Sequence, residues 1–479
     1  MPSLIDLSTV DIRPQVVRLV PETLIRQHCL LPIELIEDRL RIAMENPDDL
    51  EILDEVGLLT GYQIEPVMAS KSQLLETIEK HFSVESSTKQ ALVDLRLEHL
   101  KDSKANPAPV IVEENEQESD NHPVVKLLNS IISGAILKKA SDIHLEPQLP
   151  EMRVRYRVDG VLHDVMSIPK QAEASLISRA KILSDMDITE KRKAQDGHLS
   201  FVLDSQSYDL RLSCIPTVKG EKMVLRILDK SRMGLGLPDL GFTQADQNRI
   251  ESLVLRPYGI VFVTGPTGSG KTTTLYSILN LLDRDKLNIV TIEDPVEYRL
   301  SGINQTQVNT QAGVSFAQGL RSFLRQDPNV IMVGEVRDRE TAEIAIQAAL
   351  TGHLVLSTLH TNDAPSALAR LMDMGIEPFL LSSTVNGVIA QRLARTICKE
   401  CKGSGCSTCF NTGMKGRTVL YEIMEVTDTL RPVILERGAS SLLREKMIEN
   451  GNPTFQDCAN EKIRQQLCTE EEVKRVVFY

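Results

Sequence analysis

Between residues 259 and 358 the chain repeats one pattern: a short apolar run, then a longer stretch suited to a helix. The runs fall at 260–263, 289–292, 330–333 and 354–358. Apolar, β-branched runs of this length suit strands buried on both faces, and helices between them predict a parallel sheet wrapped by helices. Upstream the pattern changes. Residues 124–139 and 170–183 read as helices, whereas 143–145, 152–158, 161–166, 201–203, 208–213 and 223–227 read as alternating strands. This predicts an antiparallel α+β domain ending near Lys230, followed by a hinge at 234–238. Residues 1–82 predict helices at 21–28, 47–56 and 71–82, with strands inside 33–43, making a second, smaller α+β piece. The stretch 83–121 is rich in Asn, Pro, Glu and Ser and turns acidic, which predicts a flexible linker. The pattern there is compatible with a short helix at 91–100 and with a candidate binding motif at 110–112. The domain boundaries are therefore 1–82, the linker 83–121, 122–233 and 234–479.

A chain of 479 residues exceeds one hydrophobic core, in keeping with this division. A net charge of −12 and 4% aromatic residues argue against a general nucleic-acid binder. No apolar run reaches the ~20 residues that span a bilayer, and the first residues do not read as a signal peptide. Four of the eight cysteines fall within 398–409, which suits a reducing cytoplasm and one metal site better than a disulfide framework.

The candidate chemistry begins in the first apolar run, GIVFVTGPTGSGKTT at 259–273. Gly265, Pro266, Thr267, Gly268, Ser269, Gly270, Lys271 and Thr272 fit G-x-x-x-x-G-K-[ST], and from Thr273 the chain continues as a helix. Strand, glycine-rich loop and helix N-terminus are the context of a phosphate-binding loop. The glycines let successive N–H groups face phosphate, and the helix dipole adds attraction. Lys271 is expected to reach the β- and γ-phosphates, and the Thr272 hydroxyl to ligate Mg²⁺. The chain therefore reads as a binder of nucleoside triphosphate.

Such a loop needs an acid on a neighbouring strand, and the run 330–333 leads to Glu335. The run 289–292 leads to Glu293, Asp294 and Glu297, with Pro295 stiffening the turn; on spacing alone, a merely charged turn stands equally. His353 and His360 bracket the run 354–358, as either phosphate sensors or structural groups. Cys398, Cys401, Cys406 and Cys409 form two C-x₂-C knuckles, a donor set for closed tetrahedral Zn²⁺.

These stretches (GPTGSGKTTT, IEDPVEY, LRQDPNVIMVGEVRDRETAEIA, ALTGHLVLSTLHTNDAP and VIAQRLARTIC) resemble the secretion ATPase superfamily. In particular they resemble the traffic ATPases of type IV pilus assembly and type II secretion, the GspE/PilB group. The likeness runs from about 123 to 425, with a weaker one in 1–82. It implies a RecA-like P-loop ATPase core, a preceding α+β (PAS-like) domain and a small α+β N-terminal domain. It implies a cytoplasmic homohexamer hydrolysing ATP with Mg²⁺ and passing motion to an inner-membrane platform protein, peripherally associated with that membrane through its partners. Glu293, Asp294 and Glu297 match the family's aspartate box, with Glu297 as the group activating water. Glu335 matches an atypical second Walker motif, and His353 and His360 the histidine box. Arg211 and Arg226, surface ion-pair candidates when taken alone, match arginines that reach the γ-phosphate, and Arg417 matches one near the nucleotide. The family's tetracysteine subdomain usually has a longer insert between its pairs than the four residues here. Two other motors share the core: retraction ATPases, which usually lack the N-terminal piece and the cysteines, and nucleic-acid translocases. Relatives use the N-terminal piece to dock a cytoplasmic component of the membrane complex, or to bind cyclic di-GMP through a repeated Arg-Leu-Gly motif. No Arg-Leu-Gly occurs in residues 1–82, which favours docking.

Overall fold

The computed structural model describes residues 5–7, 10, 12–17, 19–81, 122–228 and 234–477. Its contacts divide the chain into two units, one holding 1–158 and 162–227, the other 159–161 and 228–479. The expected linker at 83–121, with its helix at 91–100 and the motif at 110–112, lies outside the described residues, as does residue 82.

The first unit contains two sheets with separate cores. The N-terminal elements are α1 (Pro14–Val17), α2 (Glu22–His28), β1 (Leu30–Ile36), β2 (Arg39–Met44), α3 (Leu50–Thr60), β3 (Gln63–Met68) and α4 (Lys71–His81). Strands β1 and β2 pair antiparallel, and β3 joins β2 in parallel after the α3 crossover. Helix α3 lies later than the expected 47–56. The Asp49 side chain accepts from Ile52 N at its start, and Gly61, at φ 74°, ends it. Strand β3 was not foreseen: it carries Pro66, tolerated because β3 is an edge strand. Ile25, Leu30, Leu40, Ile42, Val56 and Leu74 fill this core.

The second core of this unit lies under a six-stranded sheet of order β6-β5-β4-β9-β8-β7. Its elements are α5 (Pro123–Leu137), β4 (Asp142–Glu146), β5 (Glu151–Val158), β6 (Val161–Pro169), α6 (Lys170–Leu183), β7 (Gln195–Leu203), β8 (Gln206–Thr217) and β9 (Gly220–Leu228). Alternation assigns the two faces. Met152, Val154 and Tyr156 of β5 point into the core of α5 and α6, while Arg153, Arg155 and Arg157 point away. Tyr156 anchors α5 by donating to Ile131 O at 2.6 Å.

The second unit is built on a seven-stranded sheet of order β12-β11-β13-β14-β10-β15-β16. It begins with α7 (Leu237–Leu240), where the expected hinge at 234–238 runs into a short helix rather than staying irregular, and residues 229–233 lie outside the description. Then come α8 (Gln244–Val254), β10 (Gly259–Thr264), α9 (Lys271–Leu281), β11 (Ile289–Glu293), β12 (Asn304–Gln307), α10 (Phe316–Phe323), β13 (Val330–Val333) and α11 (Arg339–Leu350). The chain continues through β14 (Leu354–Leu359), α12 (Ala364–Asp373), α13 (Pro378–Thr384), β15 (Val385–Ile397) and β16 (Met414–Glu425). It ends in α14 (Arg431–Leu435), α15 (Ser440–Glu449), α16 (Phe455–Arg464) and α17 (Glu470–Val476). Strands β10, β11, β13 and β14 are buried at every position, as their unbroken apolar runs require. The expected parallel sheet gains an antiparallel strand at one edge. Strand β15 joins β10 in parallel, but β16 folds back on it antiparallel, and the cysteines sit in the intervening segment.

The C-terminal helix α17 is tied to β15 by one carboxylate. Glu472, with its side chain 2% exposed, accepts from Arg395 N at 2.9 Å, and from Arg395 and Arg475 guanidiniums. Burial alone would raise its carboxyl, but the bonds from Arg475 and Arg395 outweigh burial and hold it at about 2. Because the folded value lies below the ordinary ~4.3, this stabilisation is full above that pH and is lost as pH falls towards 2. Glu472→Gln should lower the stability of the second unit by about 2 kcal/mol at pH 7. Urea titrations across pH should show parent and variant converging below about pH 4.

Candidate active site

Strand β10 delivers the chain to residues 265–270 at the C-terminal edge of the sheet, and α9 carries it away. The loop's shape depends on glycine at two points. Gly265 has φ 150°, and a Cβ there would lie 2.4 Å from Gln391 O and 2.6 Å from Ser269 Oγ. Gly270, at φ 87°, forms the entry to α9. Gln391, buried on β15, donates to Ser269 O at 2.6 Å and so pins the loop from the neighbouring strand. Lys271 folds over it, its ammonium donating to Gly265 O at 2.8 Å and Pro266 O at 3.2 Å. Burial pushes Lys271 down to about 8, opposed by the nearby charge of Glu335. Thr272 and Thr273 occupy the first turn of α9, both half-buried. Ser269 Oγ is buried and makes no hydrogen bond among the described residues. Loop N–H groups, a cation and a hydroxyl thus converge at a helix N-terminus, a donor set that fits an oligophosphate with its metal.

Glu335 follows β13, beside β14 and its exit segment. Its carboxylate meets Arg337 at 2.5 Å and His360 Nε2 at 3.3 Å, and its side chain is 11% exposed. His360 belongs to the exit of β14, where Thr361 and Thr264 share a hydroxyl contact of 2.7 Å beside the loop. His353 is elsewhere. It precedes β14, and the register pairs that end of the strand with Gly259, at the start of β10. Six residues of strand separate the two histidines, ~20 Å. The expectation that either could meet phosphate is therefore corrected for His353. Its ring bonds Ala348 O at 2.9 Å and Thr351 Oγ1 at 3.2 Å, closing the end of α11.

Glu293 also departs from expectation. It ends β11 buried and held by three donors: Thr291 Oγ1 donates at 2.6 Å, Gln305 Nε2 at 3.0 Å, and Tyr276 of α9 donates to its other oxygen. Three donors from protein meet its carboxylate, so it anchors the acidic turn. Tyr276 also takes backbone N–H bonds from Glu297 and Tyr298, placing that turn on α9. Its phenol is pushed up by burial and by Glu293, so it stays a donor. Asp294 is exposed and Glu297 half-buried. Arg417 of β16 pairs with Asp159 at 3.3 Å. Arg211 and Arg226 stand on β8 and β9 of the first unit, on the face opposite its apolar core, with Arg226 held by Asp142 at 3.0 Å. Neither Gln391 nor Tyr276 carries a sequence signal of its role, although Gln391 lies within VIAQRLARTIC.

The four cysteine sulfurs lie within 4.8 Å of one another, with Cys398–Cys406 at 3.9 Å, Cys401–Cys409 at 3.8 Å and Cys406–Cys409 at 3.6 Å. A tetrahedral zinc thiolate with ~2.3 Å bonds places sulfurs about 3.8 Å apart. The residues fit that ion.

Tyr276→Phe should cost about 2 kcal/mol by leaving Glu293 short of a donor. Nucleotide affinity should stay within about two-fold, since neither group faces phosphate. Denaturation and equilibrium nucleotide binding measure the two separately.

Residues 117–475 match the family model described as type II/IV secretion system protein, and residues 1–88 match the MshEN domain. The type IV pilus assembly ATPase PilB of Myxococcus xanthus is 40% identical, covering 98% of this chain and 88% of its own. The type II secretion system protein E of Pseudomonas aeruginosa is 46% identical, over 75% of this chain and 76% of its own. Among solved structures, the pilus retraction motor PilT with bound ADP superposes with a TM-score of 0.53 at 29% identity, over 72% of this chain and 96% of that one. The glycine-rich loop and its acids thus stand in a known setting, and the chain belongs to the type II/IV secretion system protein family.

Proposed function

We propose that the chain is a mechanochemical ATPase that powers assembly of type IV pilus or type II secretion pseudopilus fibres. The observation that carries this reading is the loop 265–272 pinned against β15, with Glu335 and His360 paired beside it, in a chain alike over nearly its whole length to a pilus assembly ATPase.

ATP would be bound through its phosphates by the loop N–H groups and Lys271, and Thr272 and Glu335 would hold Mg²⁺ and its water shell. Bound Mg²⁺ neutralises charge between the phosphates. Glu297 orients and deprotonates the attacking water, and His360 fixes the Glu335 carboxylate through its ring nitrogen. Arg211 and Arg226 supply planar guanidinium charge to the transferring phosphoryl group when the chain assembles as a homohexamer. The resulting domain motion is passed to an inner-membrane platform protein, while residues 1–82 dock a cytoplasmic component of the complex. No helix among the described residues is long and apolar enough to cross a membrane. The tetracysteine knuckle holds one structural Zn²⁺ and stiffens the β15–β16 connection.

Phosphate release by purified protein tests the chemistry. Lys271→Ala should abolish it, and Glu297→Gln should keep nucleotide binding while lowering turnover by about 100-fold or more. Unchanged turnover in either variant defeats the assignment. Metal analysis of protein purified without chelators should find about one zinc per chain, and its absence removes the knuckle from this account.

A further inference from the structure

Residues 360–363, between β14 and α12, are held at both ends. At the loop end, Thr361 N donates to Thr264 Oγ1 at 2.9 Å, one residue before Gly265, and His360 meets Glu335 at 3.3 Å. The other end is held by charge. Asp363 caps α12 through Ser366 N at 2.8 Å and turns its second oxygen to Arg444 of α15 at 3.0 Å. Glu422 of β16, completely buried, accepts from Ala364 N at 2.7 Å and from Arg444 at 3.2 Å. One guanidinium from a C-terminal helix therefore bridges two carboxylates that grip the same turn of chain.

Stability alone explains this poorly. Helix α12 already has its side-chain cap in Asp363, and an apolar residue at 422 could be buried without the desolvation that a carboxylate incurs. What a planar, two-pronged cation adds between two anions is direction: it fixes where residues 360–363 lie. Among the described residues no hydrogen bond or ion pair joins Lys271 or Thr272 to this cluster. The groups at its far end, His360 and Glu335, belong to the hydrolysis step.

We propose that Arg444 is a positioning residue for hydrolysis. Through Asp363 and Glu422 it sets His360 against Glu335, and so couples the C-terminal helices to turnover but not to nucleotide capture. The inference rests on the ATPase reading above.

The test uses the full chain and four variants: Arg444→Met, Arg444→Lys, Asp363→Asn, and Arg444→Met combined with Glu422→Gln. Asp363→Asn keeps a capping oxygen but loses the ion pair. The double variant removes the unpaired buried charge that destabilises Arg444→Met. Steady-state phosphate release should give a kcat about 10-fold lower in Arg444→Met, Asp363→Asn and the double variant. The Kd for a methylanthraniloyl ATP analogue should stay within about two-fold. Arg444→Lys should be intermediate, because an ammonium lacks the fork that reaches both carboxylates. Parent-like kcat in Asp363→Asn and the double variant overturns the inference. So does a kcat loss matched by an equal loss of nucleotide affinity, or a kcat that returns with melting temperature in the double variant. A parent that does not hydrolyse ATP overturns the ATPase reading itself, whereas an active parent with unaffected variants overturns this coupling alone.

Discussion

The phosphate loop cannot hold its own shape, because half of its first six residues are glycine and it carries no apolar side chain of any size. Its form is imposed by the strand beside it. Gly265 approaches the β15 backbone so closely that no Cβ fits between them, and Gln391 reaches back to the loop carbonyl of Ser269. Strand β15 is itself placed by parallel pairing with β10 and antiparallel pairing with β16. The geometry offered to phosphate therefore depends on a sheet assembled from segments more than a hundred residues apart.

The acids of the second unit fall into two physical kinds. Glu293, Glu422 and Glu472 are buried, and each is met by several donors: hydroxyl, amide, guanidinium or backbone N–H. Hydrogen-bonded partners are the condition on which a carboxylate can be buried, and they hold such a group in place. Glu335 and Glu297 are only partly covered. Among the described residues Glu335 is paired with Arg337 and His360, both of them exposed. Burial and pairing, more than motif membership, separate the acids that brace the structure from those that stay partly exposed.

The same distinction explains what the chain revealed on reading. The parallel strands were legible because they are buried on both faces and carry unbroken apolar runs. The loop was legible because its chemistry depends on spacing within eight residues. Strands β3 and β12 were not, since one contains Pro66 and the other reads Asn304-Gln-Thr-Gln307, composition that marks edges more than strands. His353 and His360 looked equivalent because spacing along a strand does not say which end faces phosphate; only the register with β10 does. Gln391, Tyr276 and Arg444 were hidden for another reason. Their partners lie 122, 17 and 81 or fewer residues away, at Ser269, Glu293 and Asp363, and no local pattern marks such pairings.

Strand β15 carries more than the loop clamp. Along it stand Gln391, Arg392 bonded to Asn362, and Arg395 bonded to Glu472, and Cys398 follows directly. From Gln391 to Cys398 is ~23 Å of extended chain. A strand hydrogen-bonded into a sheet resists stretching and bending far more than a loop does, so it behaves as a stiff beam with fittings along its length. Force applied at the cysteine knuckle or at the last helix would be felt at the nucleotide loop with little lost in bending. In a machine that turns chemistry into displacement, such a member makes the two ends of the stroke a single mechanical part.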